Sequence, residues 1–72
     1  MITEIGIIAG EIWHFLDYNG EVSLGTLVKG IGKPREAVLM SLGWLAREGH
    51  VVVRKTENDY TAGLRKNGQL AR

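Results

Sequence analysis

The chain contains no cysteine, one proline and no long uninterrupted apolar run. Without cysteine there is no disulfide, so a fold of 72 residues must be held together by apolar packing, for which a hydrophobic content of 44% is adequate. The lack of a long apolar run argues against a membrane span, and no membrane partner is expected. The N-terminus lacks a basic segment, and Glu4 and Glu11 interrupt its apolar residues, so a signal peptide is not expected either. We therefore predict a single cytoplasmic domain.

No reactive constellation is evident. His14 and His50 are far apart, and no carboxylate or cysteine lies at ligand spacing from either, which argues against a metal site. Ser23 fits a helix cap better than a nucleophile, because no Ser-His-Asp arrangement surrounds it. The glycines at 30 and 32 lack the Lys-Ser/Thr pair of a phosphate loop. We therefore expect no enzyme activity, no cofactor and no small-molecule ligand.

The basic residues are concentrated in the second half of the chain. Residues 1–32 hold one lysine against four acidic residues, whereas residues 33–72 hold eight Lys/Arg against four acidic residues. Such a basic half is typical of nucleic-acid-binding proteins. Most of the excess, however, lies in residues 65–72, which carry three basic residues and no acidic one. The electrostatic indication for nucleic acid is therefore modest.

Residues 33–49 form the clearest predicted helix. Pro34 suits the first helical position, and Gly49 suits the left-handed position just past the end. Between them, apolar residues recur at i, i+4 and i+7 and indicate a buried stripe, formed by Val38, Leu42 and Leu45. The opposite face determines what this helix can bind.

Two further helices are predicted in the first half. The first covers residues 3–18, with Thr3 as its N-cap and an Asn-Gly pair at its end. The second covers about residues 24–30, with Ser23 as its N-cap. The short stretch 21–23 between them is predicted to be a minimal strand.

The segment after the third helix is predicted to be a β-hairpin. Residues 50–55 are short and β-branched, residues 56–59 are a polar turn cluster, and residues 60–62 can pair back as a second strand. Gly63 is expected to end that strand or to introduce a bulge.

This order of elements resembles the winged helix-turn-helix superfamily. The phrase that closes the third helix and opens the hairpin, Leu-x-x-Leu-x-x-Glu-Gly-x-Val over residues 42–51, is common in that superfamily. The resemblance covers roughly residues 3–64 and is strongest to small stand-alone bacterial and archaeal winged-helix proteins of unassigned function. It implies an α+β fold with a three-helix core, a short strand between helices 1 and 2, and a two-stranded C-terminal wing. We expect a winged-helix domain at 1–64 and a basic polar tail at 65–72.

The resemblance also implies DNA binding, in a transcriptional regulator or an accessory factor of unknown target sequence. In this superfamily the third helix typically enters the major groove and the wing touches the DNA backbone. Carried over position by position, the nucleic-acid contacts are Lys33, Arg35, Glu36, Arg47, Arg54, Lys55 and Asn58. The alternative is that these cations bind no DNA. Those at the start of the helix would then be solvated charges, and those on the wing would protect an edge strand against aggregation.

The outer face of the third helix departs from a typical DNA-reading surface. Met40 and Trp44 lie four residues apart on the face that should be wet. One interpretation is a protein interface, formed by these residues or by Trp13 on the first helix, in a homodimer or with another protein. The other is that Met40 and Trp44 pack under the wing strands or under the C-terminal tail and belong to the core.

Overall fold

The computed structural model describes residues 2–65 of the chain. The elements in chain order are α1 (Ile2–Asn19), β1 (Val22–Ser23), α2 (Leu24–Ile31), α3 (Arg35–Arg47), β2 (Val51–Lys55) and β3 (Tyr60–Leu64). This order confirms the predicted α+β fold of three helices and a C-terminal hairpin, with a short strand after the first helix. The predicted tail at 65–72 lies outside the described residues except for Arg65, and its boundary stays a prediction.

The ends of α1 and α2 follow local signals. The backbone is already helical at Ile2, so Thr3 lies inside α1 and its predicted role as N-cap is wrong. Gly20 has a φ of +79°, which makes it the left-handed stop after α1. Ser23 caps α2 as predicted, because its hydroxyl oxygen accepts a hydrogen bond from the Thr26 amide at 3.1 Å.

The third helix ends in a complete Schellman motif. Gly49 has a φ of +84°, and its amide donates to the Ala46 carbonyl at 3.1 Å. The amide of His50 donates to the Leu45 carbonyl at 3.0 Å, which gives the paired bonds that close such a helix end. At the other end Pro34 occupies the N-cap position, so α3 begins one residue later than predicted.

The three strands form one antiparallel sheet in the order β1-β3-β2. Gly63 lies within β3, opposite Val52, so the predicted strand end or bulge at Gly63 is wrong. The reason for glycine there is tertiary: a Cβ at position 63 would lie 3.2 Å from the Cβ of Glu21. The close approach of the loop before β1 therefore explains this glycine.

The core lies between the three helices and the inner side of the sheet. On α3 the predicted stripe is buried together with Ser41, whose hydroxyl donates to the Ala37 carbonyl at 2.8 Å. The buried hydrophobic residues come from five of the six elements and are Ile8, Ala9, Ile12, Leu16, Leu27, Val38, Leu42, Leu45, Val51 and Ala62. Because α3 buries this one side, its opposite side faces solvent.

Candidate nucleic-acid interface

The side of α3 opposite the core is a continuous exposed surface, which we call the α3 outer face. Its residues are Arg35, Glu36, Met40, Gly43, Trp44 and Arg47, all exposed. Helical periodicity places Glu36, Met40, Gly43 and Arg47 on one narrow stripe of this surface, at i, i+4, i+7 and i+11. Both predicted helix contacts with DNA and predicted protein-interface residues therefore share one surface.

Met40 and Trp44 are not covered by the wing. The two residues are 46% and 48% exposed, respectively, so the interpretation that they pack beneath the hairpin is wrong. The alternative that they pack against the tail concerns residues 66–72, which lie outside the described residues. The apolar side chains of the hairpin have another partner: Val51 and Ala62 are buried in the helical core. The hairpin therefore leaves this part of α3 open to another molecule.

A shallow apolar groove continues this surface from α3 onto α1. Its volume is about 420 Å³. Its apolar lining is formed by Ile7, Ile8, Pro34, Ala37 and Met40, and the charged residues Glu4, Lys33 and Glu36 also border it. Ile7 is 56% exposed although it is a large aliphatic residue. Sequence reasoning missed this groove, because Ile7 lies off the apolar stripe of α1 and carries no signal of its neighbour on α3.

Arg35 and Arg47 stand at opposite ends of the α3 outer face. Both are exposed, and among residues 2–65 neither forms an ion pair or a side-chain hydrogen bond. The rise of an α-helix puts their backbones about 18 Å apart along the axis. These two guanidinium groups are therefore available to a ligand.

Lys33, in the turn before α3, is engaged within the chain. Its ammonium group lies 3.1 Å from both carboxylate oxygens of Glu11 on α1. The two side chains are 40% and 42% exposed, so the pair contributes at most about 1 kcal/mol after solvent screening. Lys33 joins the turn to α1, and its predicted contact with DNA stays a prediction.

The cations of the wing also have intramolecular partners. The Nε of Arg54 lies 3.6 Å from a carboxylate oxygen of Glu21, which also accepts a hydrogen bond from the Thr61 hydroxyl. The ammonium group of Lys55 lies 5.1 Å from the centroid of the Tyr60 ring, within cation–π range. Both wing cations are thus turned toward groups of the sheet and its flanking loop.

Asn58 lies in the loop at the tip of the wing and is exposed. The loop is closed by Thr56, whose amide donates to the Asp59 carbonyl at 2.8 Å and whose hydroxyl oxygen accepts from the Asp59 amide at 3.1 Å. These bonds fix the turn predicted at 56–59. Asn58 therefore lies at the tip of the hairpin. In the sequence it comes well after the residues of the α3 outer face.

Trp13 lies apart from the other predicted interface residues. It is 38% exposed and meets the ring of His14 edge-on, with 5.5 Å between the ring centroids. Trp13 follows Ile7 by six positions, which corresponds to a rotation of about 120° around the axis of α1. Trp13 therefore faces a different side of α1 from the groove that reaches Met40.

Residues 2–65 contain neither a metal-binding cluster nor a membrane-spanning helix. In that part of the chain, no cluster of three or more His, Asp or Glu side chains could hold a metal ion. None of the helices within those residues is long and apolar enough to cross a membrane.

Comparison with known proteins identifies the family. Residues 1–64 match the family described as winged helix-turn-helix domain (DUF2582). The uncharacterised protein MJ1608 of Methanocaldococcus jannaschii is 37% identical over 68 residues, which cover 90% of this chain and 96% of that protein.

Two solved structures of other proteins are also similar to this chain. The Zα domain of Carassius auratus PKZ, in complex with Z-DNA, has a TM-score of 0.74 at 26% identity and covers 85% of this chain and 97% of its own. The transcriptional regulator HlyU of Vibrio vulnificus has a TM-score of 0.65 at 25% identity and covers 99% of this chain and 68% of its own. The chain therefore belongs to the DUF2582 family of winged helix-turn-helix domains.

Proposed function

We propose that this protein binds duplex DNA through the α3 outer face and acts as a transcriptional regulator or a DNA-associated accessory factor. The observation that carries the proposal is the pair Arg35 and Arg47. They are exposed at the two ends of an uncovered helix and have no ion-pair partner among residues 2–65. Free guanidinium groups at such positions are the usual means of fixing a helix on phosphates.

The dimensions of α3 suit a major groove. That groove is about 12 Å wide in B-form DNA and admits one α-helix. The ends of α3, about 18 Å apart, reach the phosphates on either side of the groove when the helix lies across it. Arg35 and Arg47 then neutralise one phosphate each, and their main contribution is to position the helix.

The residues between the two arginines define what the helix can read. Glu36 can accept a hydrogen bond from the amino group of cytosine, and Met40 can contact the methyl group of thymine. Gly43 has no side chain, so the backbone of α3 can approach the base edges closely there. These contacts are few, and we expect modest sequence preference with affinity dominated by phosphates.

Two of the similar proteins support this proposal. The Zα domain was solved with Z-DNA bound, and nearly its whole chain corresponds to most of this one. HlyU is a transcriptional regulator. The proposal for this chain is the commoner right-handed duplex, with a left-handed duplex as a separate arm of the test.

The test is a fluorescence anisotropy titration of a labelled random duplex at several salt concentrations. We expect micromolar affinity near 50 mM salt, with a log–log slope of about −0.9 for each phosphate neutralised. The double variant Arg35→Ala/Arg47→Ala should make that slope shallower by about two phosphates' worth. The matched control is Lys29→Ala, because Lys29 lies in a cleft between α1 and α2 beside Phe15.

Three outcomes decide the proposal. A salt-dependent loss of DNA affinity in the double variant, with the affinity of Lys29→Ala close to that of the wild type, supports it. No binding of the wild type to any duplex at low salt overturns it. Binding confined to an alternating dC-dG duplex held in the left-handed form would replace the major-groove contact with recognition of Z-DNA.

A further inference from the structure

Gly43 is a glycine that the fold itself does not require. It lies in the interior of α3, where glycine is about 1 kcal/mol less favourable than alanine. Its φ is not positive, and a Cβ at this position would meet no atom of residues 2–65 within 4 Å. At Gly63, by contrast, a Cβ would be in tight contact with Glu21, 3.2 Å from its Cβ. Gly6, Gly10 and Gly25 are open in the same way, so an open position alone does not indicate a partner. On the α3 outer face, however, Gly43 leaves room for the close approach of another molecule.

The residues around Gly43 are arranged symmetrically. Two residue pairs on this face, Met40 with Gly43 and Glu36 with Arg47, are centred on the same point of α3. That midpoint lies between Ser41 and Leu42. A two-fold axis through that midpoint, perpendicular to the helix, exchanges Glu36 with Arg47 and Met40 with Gly43. A surface that matches itself under such a rotation is what an isologous dimer interface requires.

We infer that the α3 outer face is the interface between two copies of this chain, with their α3 helices packed antiparallel. Met40 of each copy fills the gap above Gly43 of the other. Glu36 of each copy pairs with Arg47 of the other, which closes both ends of the contact with opposite charges. Within one chain these two side chains stand about 16 Å apart along the axis and cannot pair.

The exposed aromatic residue and the groove have a place in this interface. Trp44 is adjacent to Gly43 and borders the gap that receives the methionine of the second copy. The apolar groove at Met40 and Ile7 extends the contact from α3 to α1. Helix pairs with small residues at the contact approach to the short end of the usual range of about 8–10 Å between axes.

This dimer is expected to be weak. The contact consists of one helix face and a shallow groove, whereas a stable complex buries roughly 800 Å² per partner, so we expect the contact to be smaller than that. Association should therefore depend on concentration in the micromolar range or above. The inference does not rest on DNA binding, but it uses the same surface, so the dimer and a DNA complex through α3 exclude each other.

The test is sedimentation equilibrium of the full chain without DNA, over a concentration series that extends to the highest soluble concentration. Glu36→Arg alone and Arg47→Glu alone each place like charges opposite one another at both ends of the interface. We expect each to weaken association by roughly tenfold, because the two-fold axis makes every substitution act twice. The double variant Glu36→Arg/Arg47→Glu restores opposite charges and should return association to near the wild-type level.

A second variant guards against a trivial loss of folding. Gly43→Leu places a good helix former in an open position, so the monomer should become more stable to denaturation. The same side chain blocks the gap and should abolish association. Loss of association in a more stable protein supports the interface.

Three results overturn the inference. They are a wild type that stays monomeric throughout, a double charge variant as weak as the single ones, and association that survives Gly43→Leu. DNA binding fails or succeeds separately, because no DNA is present in this experiment. A dimer without DNA binding would leave the interface intact and remove only the proposed function.

Discussion

The α3 outer face and the wing both carry cations, but the cations of the two regions differ in their contacts within the chain. On α3, Arg35 and Arg47 have no ion-pair partner among residues 2–65. On the wing, Arg54 lies beside the carboxylate of Glu21, and Lys55 lies over the Tyr60 ring. To bind a phosphate, the wing cations must first leave their intramolecular contacts, whereas the two α3 arginines have no such contact to break among residues 2–65.

The difference is one of degree rather than of kind. The Arg54–Glu21 pair is exposed, so breaking it costs no more than about 1 kcal/mol. The acidic partner, however, remains nearby and repels a phosphate that approaches Arg54. For the proposed DNA binding, we therefore expect the larger share of the affinity to come from α3 and a smaller share from the wing.

The largest expected effect comes from removing the cations of one region at a time. The α3 pair Arg35→Ala/Arg47→Ala should weaken binding of a random duplex about a hundredfold near 50 mM salt. The wing pair Arg54→Ala/Lys55→Ala should weaken it by about tenfold or less under the same conditions. Anisotropy titrations measure both. Equal losses would contradict the assignment, and a larger loss from the wing would reverse it.

The next effect concerns stability and compares one glycine from each region. Gly43→Ala should raise the free energy of unfolding by about 1 kcal/mol, because the outer face leaves room for the methyl group. Gly63→Ala should lower it by about 1 kcal/mol, because the methyl group meets Glu21 at 3.2 Å. Urea denaturation followed by circular dichroism measures both. A destabilised Gly43→Ala variant would show that α3 is covered by something within the chain.

A smaller effect is expected from releasing a wing cation. Glu21→Gln removes the carboxylate beside Arg54 and should tighten DNA binding by about two- to fivefold at low salt. The matched control is Glu57→Gln, which removes an acidic residue from the wing loop without freeing an ion-paired cation among residues 2–65. If both variants tighten binding equally, only net charge has changed and Arg54 is already available.

The smallest effect is expected at the turn before α3. Glu11→Gln separates α1 from Lys33, and the exposed position of the pair limits the loss of stability to less than about 1 kcal/mol. Lys33 then becomes available near the start of α3, and we expect DNA binding to tighten by about twofold. Thermal denaturation and anisotropy measure the two changes. A loss of several kilocalories per mole would mean that the pair orients the turn.

The elements of the fold could be predicted from the sequence because their signals are local. The apolar period of α3, the Ser23 cap and the glycine at position 49 all act over a few residues, and the structure confirms them. The failures at Thr3 and Gly63 have different causes. A potential cap is overridden when the preceding residue already joins the helix, and the role of Gly63 depends on Glu21, which is remote in sequence.

The state of the site could not be predicted, because it depends on pairs from distant segments. Helical spacing placed Met40 and Trp44 outward, but whether the wing covers them depends on the path of the hairpin. Likewise, nothing near Lys33 or Arg54 in the sequence reveals the carboxylates of Glu11 and Glu21 that hold them. Spacing along one helix predicts which residues share a surface. Only the tertiary structure shows which cations on that surface already have an intramolecular partner.

The most direct test of the central claim is a two-dimensional amide NMR titration of the labelled protein with a short random duplex, at low and then physiological salt. The concentration is kept below that at which the protein self-associates. We expect shifts concentrated at residues 35–47, smaller shifts at residues 54–60, and a loss of both as salt rises. Shifts confined to the wing, or a spectrum that the duplex leaves unchanged, would contradict the claim that α3 provides the DNA-binding surface.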